Sequence, residues 1–201
     1  MSTKDKIIEA AFLLSLEHGY DNMSIRDIIE ESGASYSSIY YHFKNKDDLL
    51  KNLIQRYMVD INEYHHERIM GFDGSFIEKL NILFYYVMGI DLQNDKKPIL
   101  VVGDHIVDFK EYYLMFLGIY HKHPEYRYIF DDLNEKGINF LTKFIEKSIQ
   151  ENEIKKDINS KDLALFITSL LRGSIDIWTC SPNDQLDNII KTNIEFINQV
   201  I

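Results

Sequence analysis

The sequence predicts an all-α fold, an N-terminal three-helix unit followed by a larger helical region. Three observations carry this. Apolar residues recur at three- and four-residue spacing through nearly the whole chain. Only three prolines interrupt 201 residues. Capping residues precede the apolar-periodic stretches where helices would start, and glycines follow several of them. A hydrophobic content of 45% supplies a core, and the low proline count with 27% charged residues argues against disorder.

Each element has its own local reason. Thr3 is placed to cap a first helix, with Asp5 in its opening turn and Ile7, Ala11 and Leu14 along one stripe. Gly19 ends it. Ser24-Ile25-Arg26-Asp27 has the form of a capping box with Asp for Glu, so a second helix starts there and buries Ile25, Ile28 and Ile29. It stops near Gly33. Only Gly33-Ala34-Ser35 separate it from a third helix, Tyr36 to Phe43, which is the length of a helix-turn-helix connection. Asn45 caps a long fourth helix from Lys46 to about Met70. Beyond it the pattern predicts helices from Phe76 to about Leu92, Ile99 to Phe109 and Glu111 to His121. Three more follow: Pro124 to about Glu151, one capped by Ser160 and running to about Thr179, and a last one opened by Pro182. Gln93 to Pro98 reads as a loop.

The third helix has a distinctive outer surface. With Ile39 and Phe43 inward, Tyr36, Ser37, Tyr41 and Lys44 face out, and Ser38, Tyr40 and His42 lie on the flanks. These groups are hydroxyls, aromatics and a cation, with no carboxylate to repel phosphate. A helix entering a major groove needs such groups. An aromatic helix inside a bundle, its hydroxyls merely wet, has the same spacing. Charge bears on the choice. The chain carries −10 overall, which is unusual for a nucleic-acid binder. Yet Ser32 to Lys46 contains two lysines and no acid, whereas the carboxylates of the first 46 residues all lie between positions 5 and 31. Any nucleic acid would meet that window and not the acidic body.

Residues 1–50 resemble the DNA-binding domain of the TetR family of bacterial transcriptional repressors. The likeness is carried by Ile8, Ala10, Ala11, Phe12, Leu14, Gly19, Tyr20, Ser24, Ile25, Ile28, Gly33, Ser35, Ser38 and Ile39, and by the run IYYHFKNKDDLL following GAS. It covers about a quarter of the chain by motif and the rest by architecture. It implies a DNA-binding domain over 1–50 and a helical effector-binding and dimerisation domain over 51–201. It also implies that the start of the second helix and the whole third helix meet DNA, from Ser35 through Tyr41 and beyond. Ser24 and Arg26 would sit near the backbone, Arg26 within reach of a guanine edge. Tyr36 and Ser37 would face bases. Ser38, Tyr40, His42 and Lys46 would hold phosphates, with Lys44 close by. Tyr36 stands where the family often has a basic residue or proline, and Ser37 where it often has Gly, Ala or Pro. Repression is the family's usual mode.

In TetR-like proteins the last two helices pack against their copies as a four-helix bundle. Here Leu163, Phe166, Ile167, Leu170, Leu171, Ile175 and Trp178, then Leu186, Ile189, Ile190, Phe196, Ile197 and Val200, form arcs wide enough for two buried faces each. A homodimer on a palindromic double-stranded operator follows from the resemblance. The middle of the chain is dense in aromatics, which fits either an effector pocket or plain core packing. Phe84, Met88, His105, Tyr112, Tyr113, Phe116, Tyr120 and Phe166 are the candidates for a small, apolar or aromatic effector.

Other classes find little support. His65-His66, Asp104-His105 and His121-Lys122-His123 lack the spacing of a metal site. No glycine-rich phosphate loop, nucleophile elbow or Ser/His/Asp arrangement is present, so no catalytic centre and no cofactor are expected. A helical enzyme would have only scattered acid–base candidates such as Asp104 and His105. A helical interaction module that had lost DNA binding would not need the acid-free window. No apolar run approaches the ~20 residues of a membrane span, and MSTKDKIIEAAFLLSLEHG, broken by Glu9 and Glu17, does not read as a signal peptide. A single cysteine, Cys180, allows no internal disulfide and fits the cytoplasm.

So few basic residues near the third helix should give a shallow salt dependence. Binding titrated over a salt series should release fewer than about 10 ions per dimer, and a steeper slope would contradict this assignment of the interface.

Overall fold

The computed structural model describes residues 1–181 and 185–201. Among these described residues the fold is all-α apart from four two-residue strands. Helix α1 (Thr3–His18) is capped by Ser2 and not by the expected Thr3. Ser2 Oγ accepts the Asp5 N–H and Asp5 Oδ2 accepts the Ser2 N–H, both at 3.1 Å. The reciprocal box needs an acceptor three residues on, which Ser2 has in Asp5 and Thr3, facing Lys6, lacks. After a 3₁₀ turn (Tyr20–Asn22), α2 (Ile25–Ser32) opens on the expected Ser24/Asp27 box. Gly33 closes it at φ +65°, a left-handed conformation that side chains disfavour. Helix α3 (Tyr36–His42) follows on the Ser35 cap, and Asn45 Oδ1 caps α4 (Lys46–Ile54) by accepting the Asp48 N–H at 2.8 Å.

The long fourth helix exists, with a change of pitch inside it. Helix α4 passes through a π segment (Gln55–Val59) into α5 (Asp60–Gly71). The Tyr112 hydroxyl donates to the Tyr57 carbonyl of that segment at 2.6 Å. Helix α6 (Phe76–Val87) ends earlier than expected, and a short hairpin follows, β1 (Ile90–Asp91) against β2 (Lys97–Pro98).

The predicted helix from Ile99 to Phe109 does not form. Its place is taken by a second antiparallel hairpin, β3 (Val101–Val102) with β4 (His105–Ile106), turning at Gly103 with φ +59°. Val, Val and Ile around Gly-Asp favour extended pairing over a helix, because branching at Cβ crowds the preceding helical turn. Asp108 then caps α7 (Phe109–Lys122), accepting the Lys110 N–H at 2.7 Å. Pro124 opens a 3₁₀ turn (Pro124–Tyr126) that leads into α8 (Arg127–Gln150), which runs unbroken past Gly137. Asn159, whose carbonyl oxygen accepts two N–H groups, caps α9 (Ser160–Cys180) in place of the expected Ser160. Helix α10 is Leu186–Val200, and Pro182, expected to open it, lies outside the described residues.

The chain forms two compact units. The first holds Met1–Tyr64 with Val101–Phe130. Its core is built on α1, which contacts α2, α3, α4 and α7. Ile7, Ala11, Phe12, Ile28, Leu49 and Leu53 are fully buried there. Phe12 stacks on Tyr57 at 3.8 Å between ring centres and meets Tyr112 edge-on at 6.3 Å.

The second unit holds His65–Leu100 with Asp131–Ile201. There α10 packs on both α6 and α9. Phe76, Leu80, Phe84, Ile167 and Ile197 are buried, and the Phe76 and Phe144 rings lie 4.8 Å apart. The Tyr85 hydroxyl donates to Asp187 at 2.6 Å, and Lys96 from the first hairpin pairs with the same carboxylate at 2.6 Å. Among the described residues α9 alone is long and apolar enough to cross a membrane. Its inner stripe, Leu163, Ile167, Leu171 and Ile175, is buried within the unit.

Removing the Phe12 ring takes away the contact that joins α1 to the π segment and to α7. Phe12→Ala should cost about 3–5 kcal/mol in urea unfolding, the usual loss for an emptied aromatic site.

Candidate nucleic-acid interface

Helix α3 has only seven residues, too few to be helical by propensity alone. It is held from below by Ile39 and Phe43, 2% and 1% exposed, as their spacing predicts. Everything on the opposite side faces water. Tyr36, Tyr40 and Tyr41 are 63%, 48% and 84% exposed, Ser35 and Ser37 are exposed, and Ser38 and His42 are half-buried. Large exposed aromatics cost solvation unless something covers them.

The hydroxyls are organised. Ser35 Oγ accepts the Ser38 N–H at 3.2 Å and lies 3.0 Å from Ser37 Oγ and 2.8 Å from Ser38 Oγ. One turn on, the Tyr36 and Tyr40 rings sit 4.9 Å apart with their hydroxyls 3.4 Å apart, Tyr36 donating. The neighbouring Tyr36 hydroxyl holds the Tyr40 hydroxyl above its ordinary pKa, so Tyr40 stays protonated. His42 meets the Tyr41 ring edge-on at 5.0 Å.

On the neighbouring helix, Ser24 is exposed while serving as the α2 cap. Arg26 is highly exposed and pairs with Glu30 at 2.9 Å. Such a surface pair is worth about 0–1 kcal/mol, so the guanidinium can exchange it for DNA at little cost. Lys44 is exposed, and its backbone N–H donates to Asp48.

Lys46 is placed differently from the other candidates. Its ammonium donates to the Met23 carbonyl at 2.7 Å and the Asp21 carbonyl at 3.3 Å, and lies 4.9 Å from the centre of the Tyr20 ring. The Tyr20 hydroxyl returns a bond to the Lys46 carbonyl. Burial lowers the ammonium pKa, with Asp21, Asp47 and Asp27 opposing. Lys46 therefore ties the start of α4 to the segment between α1 and α2, which leaves one N–H for a phosphate.

The effector candidates divide between the units. His105, Tyr112, Tyr113, Phe116 and Tyr120 belong to the first, and Phe84, Met88 and Phe166 to the second. Phe84, Met88 and Phe116 are buried, whereas His105, Tyr120 and Phe166 are exposed. Burial pushes the Tyr112 hydroxyl pKa up. In the first unit a cleft of about 390 Å³ is lined by Leu13, Leu14, Glu17, Ile106 and Glu111 among others, and of the effector candidates His105 lines it.

Known proteins carry the same head. The family model described as bacterial regulatory proteins, tetR family, matches residues 7–53, the span from α1 to α4. The chain carries the N-terminal domain of the TetR family. The chain is 24% identical over 185 residues to the fatty acid metabolism regulator protein of Bacillus subtilis, covering 92% of this chain and 87% of that one. It is 30% identical over 91 residues to the biofilm operon negative transcriptional regulator IcaR of Staphylococcus epidermidis. That match covers 44% of the chain and spans about half of the relative, 47%. Among solved structures, a TetR-family transcriptional regulator from Cytophaga hutchinsonii superposes with a TM-score of 0.76 at 19% identity, covering 98% of this chain and 94% of that one. FadR from Bacillus subtilis, solved with stearoyl-CoA, gives 0.67 at 20% identity and covers 98% of each. At such identities the structures establish the TetR fold and no more.

Sequence reasoning passed over the groups around Lys46. Tyr20, Asp21, His123 and Tyr126 form its surroundings, yet His123 and Asp21 are 102 positions apart and no local spacing links them.

The two lysines should separate experimentally. Lys46→Ala should lower stability by about 1–3 kcal/mol through two orphaned carbonyls, as well as weaken DNA binding. Lys44→Ala should leave the melting temperature unchanged and reduce the salt slope by about one per subunit. Thermal unfolding paired with salt titration checks both.

Proposed function

We propose that this regulator is a repressor that binds a palindromic operator as a homodimer and lets go when a small, apolar or aromatic molecule binds. The observation that carries the DNA half is the outer face of α3. Five hydroxyl side chains, Ser35 to Ser38 and Tyr40, stand on a helix anchored by Ile39 and Phe43, within a stretch free of carboxylates. Tyr36 and Ser37 meet base edges. Ser24, Ser38, Tyr40, His42 and Lys44 hold phosphates, Arg26 exchanges Glu30 for the DNA, and Lys46 contributes its remaining N–H from a fixed position. Residues 1–50 act as the reading domain and 51–201 as the effector and dimer domain.

The dimer half rests on α9 and α10. Both bury one stripe and leave another in water. Leu165, Phe166 and Ile177 on α9 are 56%, 44% and 57% exposed, and Phe196 and Val200 on α10 are 60% and 53% exposed. Two helices with a second apolar face fit a four-helix bundle with their copies. The effector half rests on the aromatic and methionine side chains already named, and on FadR having been solved with stearoyl-CoA, an amphiphile with a long apolar chain. An effector that favours the arrangement poorly matched to the operator lowers DNA affinity by its own preference for it. The protein works where the DNA is, in the cytoplasm.

Fluorescence anisotropy on short duplexes tiling the DNA around the protein's own gene, at two salt concentrations, tests this. One palindromic duplex should bind two subunits and resist competitor, and Tyr36→Ala should weaken that duplex about 10-fold or more while leaving nonspecific binding alone. Equal, salt-erased binding to every duplex would refute it.

A further inference from the structure

The end of α7 meets the base of the reading head through one charged cluster, all of it inside the first unit. Asp21, in the 3₁₀ turn between α1 and α2, receives two partners from that end. Lys122 Nζ lies 3.3 Å from Asp21 Oδ2, and His123 Nε2 lies 2.9 Å from Asp21 Oδ1. The other imidazole nitrogen, Nδ1, faces Glu125 Oε1 at 3.3 Å. The ring is mostly buried, its side chain 15% exposed, and packs edge-on to Tyr20 at 6.0 Å and beside Tyr126 at 6.4 Å. Both tyrosines reach α4 in turn. Tyr20 donates to the Lys46 carbonyl and Tyr126 to the Asp47 carbonyl, the latter at 2.9 Å. The Lys46 ammonium closes the loop on the Asp21 and Met23 carbonyls. Helix α4 begins four residues after α3 ends, so whatever sets the start of α4 also sets α3.

We propose that His123 and Asp21 form a proton-sensitive latch that positions the reading head, so that operator affinity is linked to pH through a side chain that never touches DNA. The chemistry is in the placement of the ring. An imidazole between two carboxylates can satisfy both only as the imidazolium, which donates from each nitrogen. The neutral ring donates to one side and presents a lone pair to the other carboxylate. Protonation therefore closes the latch on both sides, and loss of the proton opens one of them. The charged groups around the ring are Asp21 on the 3₁₀ turn, Glu125 beyond α7 and Lys122 at the end of α7, with Lys46 and Asp47 on α4 reached through Tyr20 and Tyr126. Partial burial pushes the Asp21 carboxyl pKa up, but the bonds from Lys122 and His123 outweigh it and the net shift is downward. A carboxyl lowered in the folded state contributes its stability above the ordinary carboxylate range and loses it only in acid. Asp21 is thus ionised throughout between pH 6 and 8 and does not itself supply a response in that range.

This inference rests on the proposed DNA reading by α3, and the test separates the two. The full-length protein and its His123→Gln and Asp21→Asn variants are titrated onto the operator duplex at pH 6, 7 and 8, each at two salt concentrations, with thermal unfolding at the same pH values. The wild type should lose about 3- to 10-fold in affinity from pH 6 to pH 8, the span expected for one coupled proton. His123→Gln keeps a donor and an acceptor but no charge, and should be flat within about two-fold, near the wild-type value at pH 8. Asp21→Asn, which keeps an acceptor for the ring, should flatten the profile as well. His42 is present in all three proteins, so whatever it contributes cancels in the comparison. The salt slope should be the same in wild type and His123→Gln, because His123 meets no phosphate. A wild-type profile shared by His123→Gln overturns the latch, as does a uniform loss of affinity at every pH, the mark of a merely structural role. A changed salt slope overturns it too, by making His123 a direct contact. Absence of sequence-specific binding by all three proteins at every pH overturns the DNA reading, and the latch with it.

Discussion

The reading surface depends on two side chains that point away from it. A helix of seven residues has at best three internal hydrogen bonds to set against the entropy of ordering its backbone. Ile39 and Phe43 supply what is missing by entering the core of the first unit, where Phe12, Ile28 and Leu49 are also almost wholly buried. Because those two positions are four apart, they fix the rotation of α3 as well as its existence. Tyr36, Ser37, Tyr40 and Tyr41 are exposed as a consequence. The constraint is sharp: a one-residue slip would bury tyrosine hydroxyls without partners and put Ile39 in water.

Rotation alone does not set the tilt of α3, and here the surroundings of α4 matter. Asn45 caps α4 directly after α3, so the two helices meet at a tight corner. Lys46 is pinned there by two carbonyls from the other side of the three-helix unit. A surface lysine would be free to neutralise phosphate. This one gives up part of that capacity, and some of its charge stability, to hold the corner. The same logic extends through Asp21 to the end of α7. The helix-turn-helix is therefore part of a polar frame that includes residues 122–126, and that frame explains why Val101–Phe130 falls in the same compact unit as the first 64 residues.

Much of this was legible in the sequence, and the parts that were not share a cause. The turn between α2 and α3 is written locally, in the Ser24/Asp27 box, Gly33 and the Ser35 cap, and each signal acts within four residues. The two stripes of α9 and α10 were visible as arcs too wide for one face. The stretch from Ile99 to Phe109 misled because its apolar residues satisfy helical spacing and strand alternation equally. Only the branched residues around Gly103-Asp104 favoured the hairpin, and periodicity does not weigh branching. The resemblance assigns Lys46 to a phosphate, and local sequence gave no sign that its ammonium also meets carbonyls 23 and 25 positions away. Among the effector candidates, Phe84 and Phe166 look alike as aromatics on helices. One is wholly buried and the other 44% exposed, a difference set by packing partners distant in sequence.

The sparse charge of the head bears on why two copies would be needed. With hydroxyls in place of cations, each α3 gains little from counterion release, and the acidic body repels DNA at long range. A single head would bind weakly and without much length of sequence to read. In the proposed homodimer, joining two heads through α9 and α10 would make the second contact intramolecular and raise affinity by effective concentration and not by added charge. The gain is then largest where two half-sites have the right spacing, and almost absent elsewhere. In that dimer an acidic protein with a nearly neutral α3 would exchange general stickiness for selectivity, and the exposed apolar residues of its last two helices are what that exchange would require.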